Sequence, residues 1–455
     1  MLAADNLLYI PSMHEAECEL AYYLVRLLKT PCESLTPLTE GLKFQQPQAV
    51  INACTNRISI LTGGPGTGKT TTTRMIVKSF LTAGLHGMIL CPASKAARRA
   101  REALKELAAE VPCHTIHHGL KYNVGQGRFL FNRNNKLPVD FLICDEISLG
   151  DLMLSRDLLE AIDHNKTRIV LVGDPDQLPS VQPGNVARDI INSGVFPMVK
   201  LTEILRQGKD SGIVYNAKRI IEGEPLSFID PISKEQFNDF YLIKERDEKI
   251  AAEKLVEYIC TSIPQKRGFD AVEDIQALSP GKKSVVGTGN LSENLSKRLN
   301  PDGKKFGNIR IGDKVINTKN DNQLVMANGD VGIARDYSSQ GGHITFDFGP
   351  GAGPSGDGFI DLKLSQLDNI YPAWCYTIHR SQGSEFPCMI MPVYKCHNIL
   401  LFRNLLYTGV TRARELCILI GDPQAVDMCI NNDRPVRRTT RLESIIRHLA
   451  TKTTL

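Results

Sequence analysis

The residues with the clearest chemistry form a glycine-rich run that ends in a lysine and a threonine, Gly63-Gly64-Pro65-Gly66-Thr67-Gly68-Lys69-Thr70. Glycines let successive backbone N–H groups turn toward phosphate oxygens, and a helix that follows adds the positive end of its dipole. In such a loop the lysine reaches the β- and γ-phosphates and the next hydroxyl ligands Mg²⁺. The run predicts a nucleoside triphosphate site formed by Gly64, Pro65, Gly66, Thr67, Gly68, Lys69, Thr70 and Thr71.

A metal-holding acid is expected at the end of a neighbouring strand, and Asp145 and Glu146 follow the apolar run Phe141–Cys144. Asp145 is predicted to hold Mg²⁺, and Glu146 to orient and deprotonate the attacking water. The alternative is an acidic pair that caps the helix beginning near Ile147. Gln177 follows a third apolar run and is a candidate sensor of the γ-phosphate, although a plain turn explains it equally well.

The elements that must position these residues are short apolar runs separated by helical patterns. Buried strands that alternate with helices predict an α/β fold with a parallel sheet covered on both faces. The first set of runs is Ile58–Leu61, Met88–Cys91, Phe141–Cys144 and Ile169–Val172, and a second set, at Ile275–Leu278, Met389–Val393 and Cys417–Ile420, predicts a second α/β domain. Before them, residues 1–40 contain an amphipathic stretch that predicts a docking helix.

Residues 309–366 have a different character, with strand-length runs separated by turn signals. The runs predict a small β-barrel, similar to an SH3 module, that is inserted into the second α/β domain. The module is expected to serve ligand binding outside the nucleotide site and not hydrolysis. A decorative insertion or a docking site for a partner is the alternative. The four runs are Lys314–Thr318, Val331–Asp336, His343–Phe348 and Phe359–Leu364.

The composition is that of a folded multidomain protein, with 455 residues, 42% hydrophobic residues, 23% charged residues and a net charge of +4. These values exclude a disordered chain, and the charge alone identifies no partner. The twelve cysteines form no C-x-x-C pair, which argues against a zinc ribbon or a disulfide framework. No signal sequence or long apolar run is present, so we expect a cytoplasmic monomer that does not enter a membrane.

Taken in order from about residue 41, the motifs resemble those of the RecD-like helicases of superfamily 1B. Gln46-Pro47-Gln48-Ala49-Val50 is similar to the family's adenine-reading segment, with Gln46 as the reader. Cys91–Arg99 and His114–His117 resemble its first two strand-contacting motifs. The resemblance implies that ATP is the nucleotide and that the nucleic-acid contacts of these two motifs come from Pro92, Ser94, Thr115 and His117.

Three further segments resemble motifs of the same family. Leu201–Gln207 and Tyr407–Arg414 are similar to the motifs that supply arginine fingers, which implies roles for Arg206 and Arg412 in stabilising the transferred phosphoryl group. Thr377–Phe386 resembles the motif that links nucleotide and nucleic acid. It implies that His379 and Ser381 touch strand phosphates and that Glu385 contacts the ribose or a neighbouring motif.

The resemblance also implies the architecture: two RecA-like P-loop motor domains with parallel sheets. The first covers residues 41–206 and the second covers 207–308 and 367–455, with the inserted β-module between these two parts. A β-hairpin at about 121–138 resembles the family's pin that splits a duplex. Phe129 and Phe131 are its candidate stacking residues, and packing in the core is the alternative for both.

The function that the resemblance implies is an ATP-dependent DNA helicase that moves 5′-to-3′ on single-stranded and forked DNA. Other replication or recombination proteins are its expected partners. Two alternatives stay open, a helicase directed to RNA and a subunit whose ATP site acts as a switch. The C-terminal arginines track strand phosphates or form a solvated helix face, and they are Arg434, Arg437, Arg438, Arg441 and Arg447.

Overall fold

The computed structural model describes residues 2–4, 7–203, 211–231, 233–321, 323–350, 352–433 and 438–452. The chain forms two compact units, one of Met1–Gly208 with Val436–Leu455 and one of Lys209–Pro435. The sequence-based boundaries differ at the end of the chain, because they assigned all of 367–455 to the second motor domain. Among the described residues, no helix is both long and apolar enough to cross a membrane.

The first unit alternates strands and helices after an N-terminal hairpin and helix. Its elements are β1 (Leu2–Ala4), β2 (Leu7–Tyr9), α1 (Pro11–Lys29), α2 (Gln46–Thr55), β3 (Ile58–Gly63), α3 (Lys69–Thr82), β4 (Gly87–Cys91), α4 (Ser94–Leu104), β5 (Cys113–Thr115), α5 (Ile116–Gly119), β6 (Tyr122–Asn123), β7 (Arg128–Phe129), β8 (Phe141–Cys144), α6 (Leu152–Glu160), β9 (Arg168–Gly173), α7 (Val186–Ser193) and β10 (Met198–Leu201).

The described residues of this unit form a parallel six-stranded sheet in the order β10-β3-β9-β8-β4-β5. Successive strand residues point to opposite faces. Leu142 therefore lies in the core beneath α1 and α6, whereas Ile143 lies in the core beneath α2 and α3. Because the strands are parallel, the segments that follow β3, β4, β5, β8 and β9 all lie at one edge of the sheet.

The second unit contains its own α/β core and an insertion. Its elements are α8 (Gly212–Glu222), β11 (Phe240–Lys244), α9 (Glu248–Glu257), α10 (Ile263–Arg267), β12 (Ile275–Ser279), α11 (Thr288–Leu299), β13 (Lys305–Phe306), β14 (Ile309–Arg310), β15 (Lys314–Asn317), β16 (Val331–Ser338), β17 (His343–Asp347), β18 (Phe359–Lys363), β19 (Ile370–Pro372), β20 (Cys375–Thr377), β21 (Phe386–Val393), α12 (Arg403–Val410), β22 (Ala413–Gly421) and α13 (Pro423–Asn431). In the described residues, a parallel sheet runs in the order β11-β22-β21-β12-β20. The predicted α/β fold with parallel sheets is confirmed.

The insertion is an antiparallel sheet in the order β18-β17-β16-β15-β19. Its outer strands β18 and β19 do not pair with each other in the part of the chain that the structure covers, so the predicted closed barrel is not confirmed. Alternation of buried and exposed residues specifies each strand and its two faces. It does not specify which edge strands pair, so this alternation alone could not establish the predicted closure.

A buried carboxylate ties the insertion to the α/β core of the second unit. Asp313 is completely buried. Its Oδ1 accepts hydrogen bonds from Trp374 Nε1 at 3.1 Å, Ser296 Oγ at 2.8 Å and Asn300 Nδ2 at 3.0 Å, and its Oδ2 accepts one from the Arg310 backbone N–H at 2.8 Å. A buried carboxylate with this many donors holds its neighbours in one arrangement.

The C-terminal helix α14 (Leu442–Thr451) belongs to the first unit. It contacts α1 and α7, and its buried residues Leu442 and Ile446 complete the core on that face of the sheet. The last part of the chain therefore closes the fold of the unit that contains the glycine-rich loop.

Candidate nucleotide site and strand-contacting segments

The glycine-rich loop connects β3 to α3, as its sequence predicts. Gly68 precedes α3 with φ of 88°, a left-handed conformation that favours glycine. A β-carbon at Gly63 would lie 2.8 Å from both the Leu201 carbonyl oxygen and the Thr67 hydroxyl oxygen, so any side chain there would fill the cradle. The shape of this loop fits a phosphate group that approaches the backbone closely.

Lys69 is the first residue of α3, directly after the glycine-rich loop. Its Nζ donates to the carbonyl oxygens of Gly63 at 2.6 Å and Gly64 at 2.8 Å. Thr70 and Thr71 begin α3 with exposed side chains. The ammonium group, two exposed threonines and the N-terminus of α3 therefore lie together at this end of the helix, which suits a bound polyphosphate.

The acidic pair follows β8 at the same edge of the sheet. The Glu146 backbone N–H donates to Asp145 Oδ1 at 2.9 Å, and Glu146 has φ of 56° and ψ of 41°, a conformation that costs free energy for a residue with a side chain. Burial and the charge of Glu146 raise the pKa of Asp145, whereas Lys69 and Arg99 lower it. Lys69 and the acidic pair thus share one electrostatic environment.

Gln177 lies in the loop after β9, at residues 174–185. Its side chain is buried, and its Nε2 donates to Asp174 Oδ2 at 3.2 Å. Gln177 lines a small cavity together with Ser148, which follows Glu146 by two residues, and Ser180. The fold therefore brings Gln177 next to the segment of the acidic pair.

Gln46, the predicted adenine reader, is buried at the start of α2. Its Nε2 donates to the Gly68 carbonyl at 3.3 Å and its Oε1 accepts from the Lys43 backbone N–H at 3.0 Å. Both ends of the amide contact the main chain, so in this structure Gln46 supports the glycine-rich loop. The sequence did not single out Gln45, whose Nε2 donates to Thr202 Oγ1 at 3.1 Å.

Of the two predicted arginine fingers, Arg412 lies within the residues that the structure describes. Arg206 lies outside the described residues. Arg412 is 2% exposed within the second unit, where its Nε donates to the Thr408 carbonyl and its Nη1 to the Ser384 carbonyl, both at 3.0 Å. Glu385, which follows Ser384 directly, is half-buried.

The first two strand-contacting motifs follow the neighbouring parallel strands β4 and β5. Pro92 and Ser94 are half-buried at the start of α4. Thr115 precedes α5, and its Oγ1 accepts from the His118 backbone N–H at 3.2 Å. His117 is exposed. The fold thus brings all four predicted residues to one edge of the sheet.

The predicted hairpin is short: β6 pairs with β7, and an isolated antiparallel bridge joins Asn132 to Asn135. Phe129 and Phe131 are half-buried and pack against the core of the first unit. The Phe129 ring also lies 5.0 Å from that of Tyr122, measured between centroids. The apolar side chain at the tip is Val124, which is 76% exposed. It was not predicted, because residue types alone did not show that the turn lies between Asn123 and Arg128.

The two residues of the second unit that are predicted to contact nucleic-acid phosphates, His379 and Ser381, differ in burial. His379 is half-buried, and burial lowers its pKa, which favours the neutral ring. Ser381 is completely buried and its Oγ donates to the Ile378 carbonyl at 2.7 Å. The predicted phosphate contact by Ser381 is therefore not supported, because its hydroxyl closes a turn instead of facing solvent.

Comparison with protein families gives two matches within this chain. Residues 46–183 match the AAA domain and residues 372–420 match the UvrD-like helicase C-terminal domain. The first range contains the glycine-rich loop, the acidic pair and Gln177. The second contains Glu385 and Arg412.

Relatives with known names match over almost the whole chain. The ATP-dependent RecD2 DNA helicase of Deinococcus radiodurans is 32% identical over 98% of this chain and 59% of its own length. The RecBCD enzyme subunit RecD of Haemophilus influenzae is 27% identical over 89% of this chain and 72% of its own. The chain thus spans little more than half of the RecD2 protein.

One solved structure, from work on DNA unwinding at forked double-stranded DNA by two Pif1 helicases, has a similar fold. It matches 84% of this chain and 94% of its own chain, with a TM-score of 0.50 and 18% sequence identity. At this identity the match bears on the fold alone.

Proposed function

The chain is RecD-like in sequence over almost its whole length, and from this premise we propose that it is an ATP-dependent DNA helicase that moves 5′-to-3′ along single strands and unwinds duplex. The observation that carries the proposal is the 32% identity to a RecD2 helicase over 98% of the chain. Its substrates are single-stranded and forked DNA. Geometry supports the ATP site, since the glycine-rich loop, Lys69 and the acidic pair lie at one edge of one sheet.

We propose these roles for the residues of the first unit. The loop and Lys69 bind the phosphates of ATP, Gln177 senses the γ-phosphate, and Glu146 removes the proton of the attacking water. Thr70 and Asp145 are suited to hold Mg²⁺, because both offer oxygen ligands, which this ion prefers. When bound, Mg²⁺ neutralises charge that develops on the phosphate oxygens.

Arg206 and Arg412 are proposed as arginine fingers, and Glu385 as a contact to the ribose or a neighbouring motif. The bonds from Arg412 to the carbonyls of Thr408 and Ser384 hold its guanidinium in one orientation. A fixed guanidinium loses little conformational freedom when it meets a phosphoryl group, which favours catalysis.

We propose that Pro92, Ser94, Thr115, His117 and His379 line the strand track, and that the hairpin at β6–β7 separates the duplex. The exposed side chain of Val124 at the tip and the half-buried packing of Phe129 support Val124 as the wedge.

Val124→Asp is expected to lower the rate of fork unwinding about tenfold while DNA-stimulated ATP hydrolysis stays at the parent rate. A carboxylate cannot replace an apolar contact with the terminal base pair, and it repels phosphates. Unwinding and hydrolysis are measured on the same forked substrate. Ile399→Asp, at another exposed apolar side chain that has no proposed role and is 80% exposed, is the matched control. Unimpaired unwinding by Val124→Asp would return the hairpin to a purely structural role.

The inserted sheet is proposed to be an SH3-like module that serves the strand track. Replacing residues 319–368 with a short Gly-Ser linker keeps the β15–β19 pair and the Asp313 bonds, because Thr318 and Asn369 are already hydrogen-bonded to each other. The shortened protein is expected to keep its basal ATPase and to bind single strands several-fold more weakly. Fluorescence anisotropy with labelled DNA measures this affinity, and an unchanged affinity would favour a docking role.

Hydrolysis of ATP with and without single-stranded DNA tests the motor directly. A motor is expected to hydrolyse ATP at least tenfold faster when DNA is present, because strand binding promotes the productive state. Absence of stimulation would favour the ATP-switch subunit. Stimulation by RNA alone would favour the RNA-directed helicase.

A further inference from the structure

The C-terminal segment, residues 438–452, holds the loop that carries Gln177. The Arg438 guanidinium makes the contacts: its Nη1 donates to the carbonyl oxygens of Gln182 and Gly184, both at 2.7 Å, and to Ser180 Oγ at 3.3 Å. Its Nη2 donates to the Ser180 carbonyl at 2.5 Å. One side chain thus fixes three main-chain positions of the loop.

These positions are close to the proposed γ-phosphate sensor. Ser180, which Arg438 binds, lines the same cavity as Gln177 and Ser148. The Ser148 hydroxyl is buried there and has no hydrogen-bond partner among the residues that the structure covers. The Pro183 carbonyl accepts from the Leu152 backbone N–H at 3.0 Å, which ties the loop to the start of α6. A shift of this loop would therefore move Gln177 relative to the segment of Glu146.

The chain segment that carries Arg438 is itself held in place by hydrogen bonds to two helices. Thr440 Oγ1 donates to Asp189 Oδ2 at 2.8 Å on α7, and the Arg441 backbone N–H donates to Glu17 Oε2 at 3.1 Å on α1. Behind these bonds, α14 buries Leu442 in the core. Two helices of the first unit thus fix the backbone from which the Arg438 side chain reaches the loop.

We propose that Arg438 is a positioning residue for ATP hydrolysis, which fixes the loop 174–185 so that Gln177 stays aligned with Glu146 and the phosphates. This inference rests on the proposed function. It gives the C-terminal segment a part in the chemistry of the nucleotide site, through main-chain contacts and without any contact to the nucleotide.

Arg438→Ala is expected to lower kcat for DNA-stimulated ATP hydrolysis about tenfold and to change KM for ATP less than about twofold, because nucleotide binding uses other residues. Arg438→Lys should recover part of kcat, since its ammonium group keeps the positive charge and N–H donors but lacks the planar guanidinium fork. In the Gln177→Ala background, Arg438→Ala should add no further loss, because both changes act on the same alignment.

Arg447→Ala is the matched control. Arg447 lies in the same segment, but it pairs with Glu443 and donates to the Asn192 carbonyl without touching the loop. Its kcat should equal that of the parent. If the Arg438→Ala protein does not fold, the same kcat and KM measurements are made on Arg438→Lys and Arg438→Gln.

Three outcomes separate failure of this inference from failure of the proposed function. A parent protein that responds to DNA, together with a folded Arg438 variant of unchanged kcat, would overturn the positioning role alone. Additive losses in the double variant would do the same. A parent without DNA-stimulated hydrolysis would overturn the proposed function, and the positioning role would fall with it.

Discussion

Lys69→Ala is expected to lower ATP hydrolysis by about 10³-fold or more, because it removes the positive charge that faces the β- and γ-phosphates. The structure adds a second reason. Lys69 Nζ donates to the carbonyl oxygens of Gly63 and Gly64, so the variant also loses the donor that holds the two ends of the loop together. Both hydrolysis and ATP affinity should therefore fall, as measured by phosphate release and by titration with a fluorescent ATP analogue.

The matched control for this change is Lys78→Ala, on the exposed side of the same helix α3. It should hydrolyse ATP like the parent. Affinity for single-stranded DNA without nucleotide should be the same in all three proteins, because Lys69 faces the loop. Hydrolysis by Lys69→Ala near the parent rate would show that the nucleotide site has been misidentified.

Glu146→Gln is expected to lower turnover by about 10²- to 10⁴-fold while ATP stays bound. The amide keeps the size of the side chain but cannot accept a proton from water. The backbone bond from Glu146 N–H to Asp145 Oδ1 does not depend on the Glu146 side chain, so Asp145 should keep this hydrogen bond. Equilibrium binding and single-turnover hydrolysis separate the two effects.

Glu110→Gln, an exposed glutamate of the same unit, serves as the control and should behave like the parent. A stable complex of Glu146→Gln with ATP and single-stranded DNA is expected, because binding proceeds and hydrolysis does not. Loss of ATP binding in this variant would mean that Glu146 has a structural role and is not the base.

The local features of the nucleotide site were predictable from sequence, because they depend on neighbouring residues. The glycine-rich loop lies between β3 and α3 as its motif requires, and the acidic pair follows a buried strand. Apolar runs predicted β3, β4, β8 and β9 of the first parallel sheet and β12, β21 and β22 of the second, since strands buried on both faces have few polar positions. The edge strands β5, β10, β11 and β20 were not predicted.

Contacts between distant segments were not predictable in the same way. The C-terminal arginines suggested a phosphate track or a solvated helix face, yet Arg438 binds carbonyls more than 250 residues earlier in the chain. No periodicity in residues 434–447 encodes that loop. Ser381 and Gln46 illustrate a related limit, because a motif gives residue types and does not reveal which polar atoms bond to the main chain.

Unwinding of tailed DNA duplexes in the presence of ATP and Mg²⁺ shows whether the protein is a helicase and in which direction it moves. The three substrates share one duplex and carry a 5′ tail, a 3′ tail or both tails as a fork. We expect the parent protein to separate the 5′-tailed and forked duplexes but not the 3′-tailed duplex, and we expect Lys69→Ala to separate none of them. Separation of the 3′-tailed duplex alone, or of no duplex by a protein that hydrolyses ATP, would contradict the proposed function.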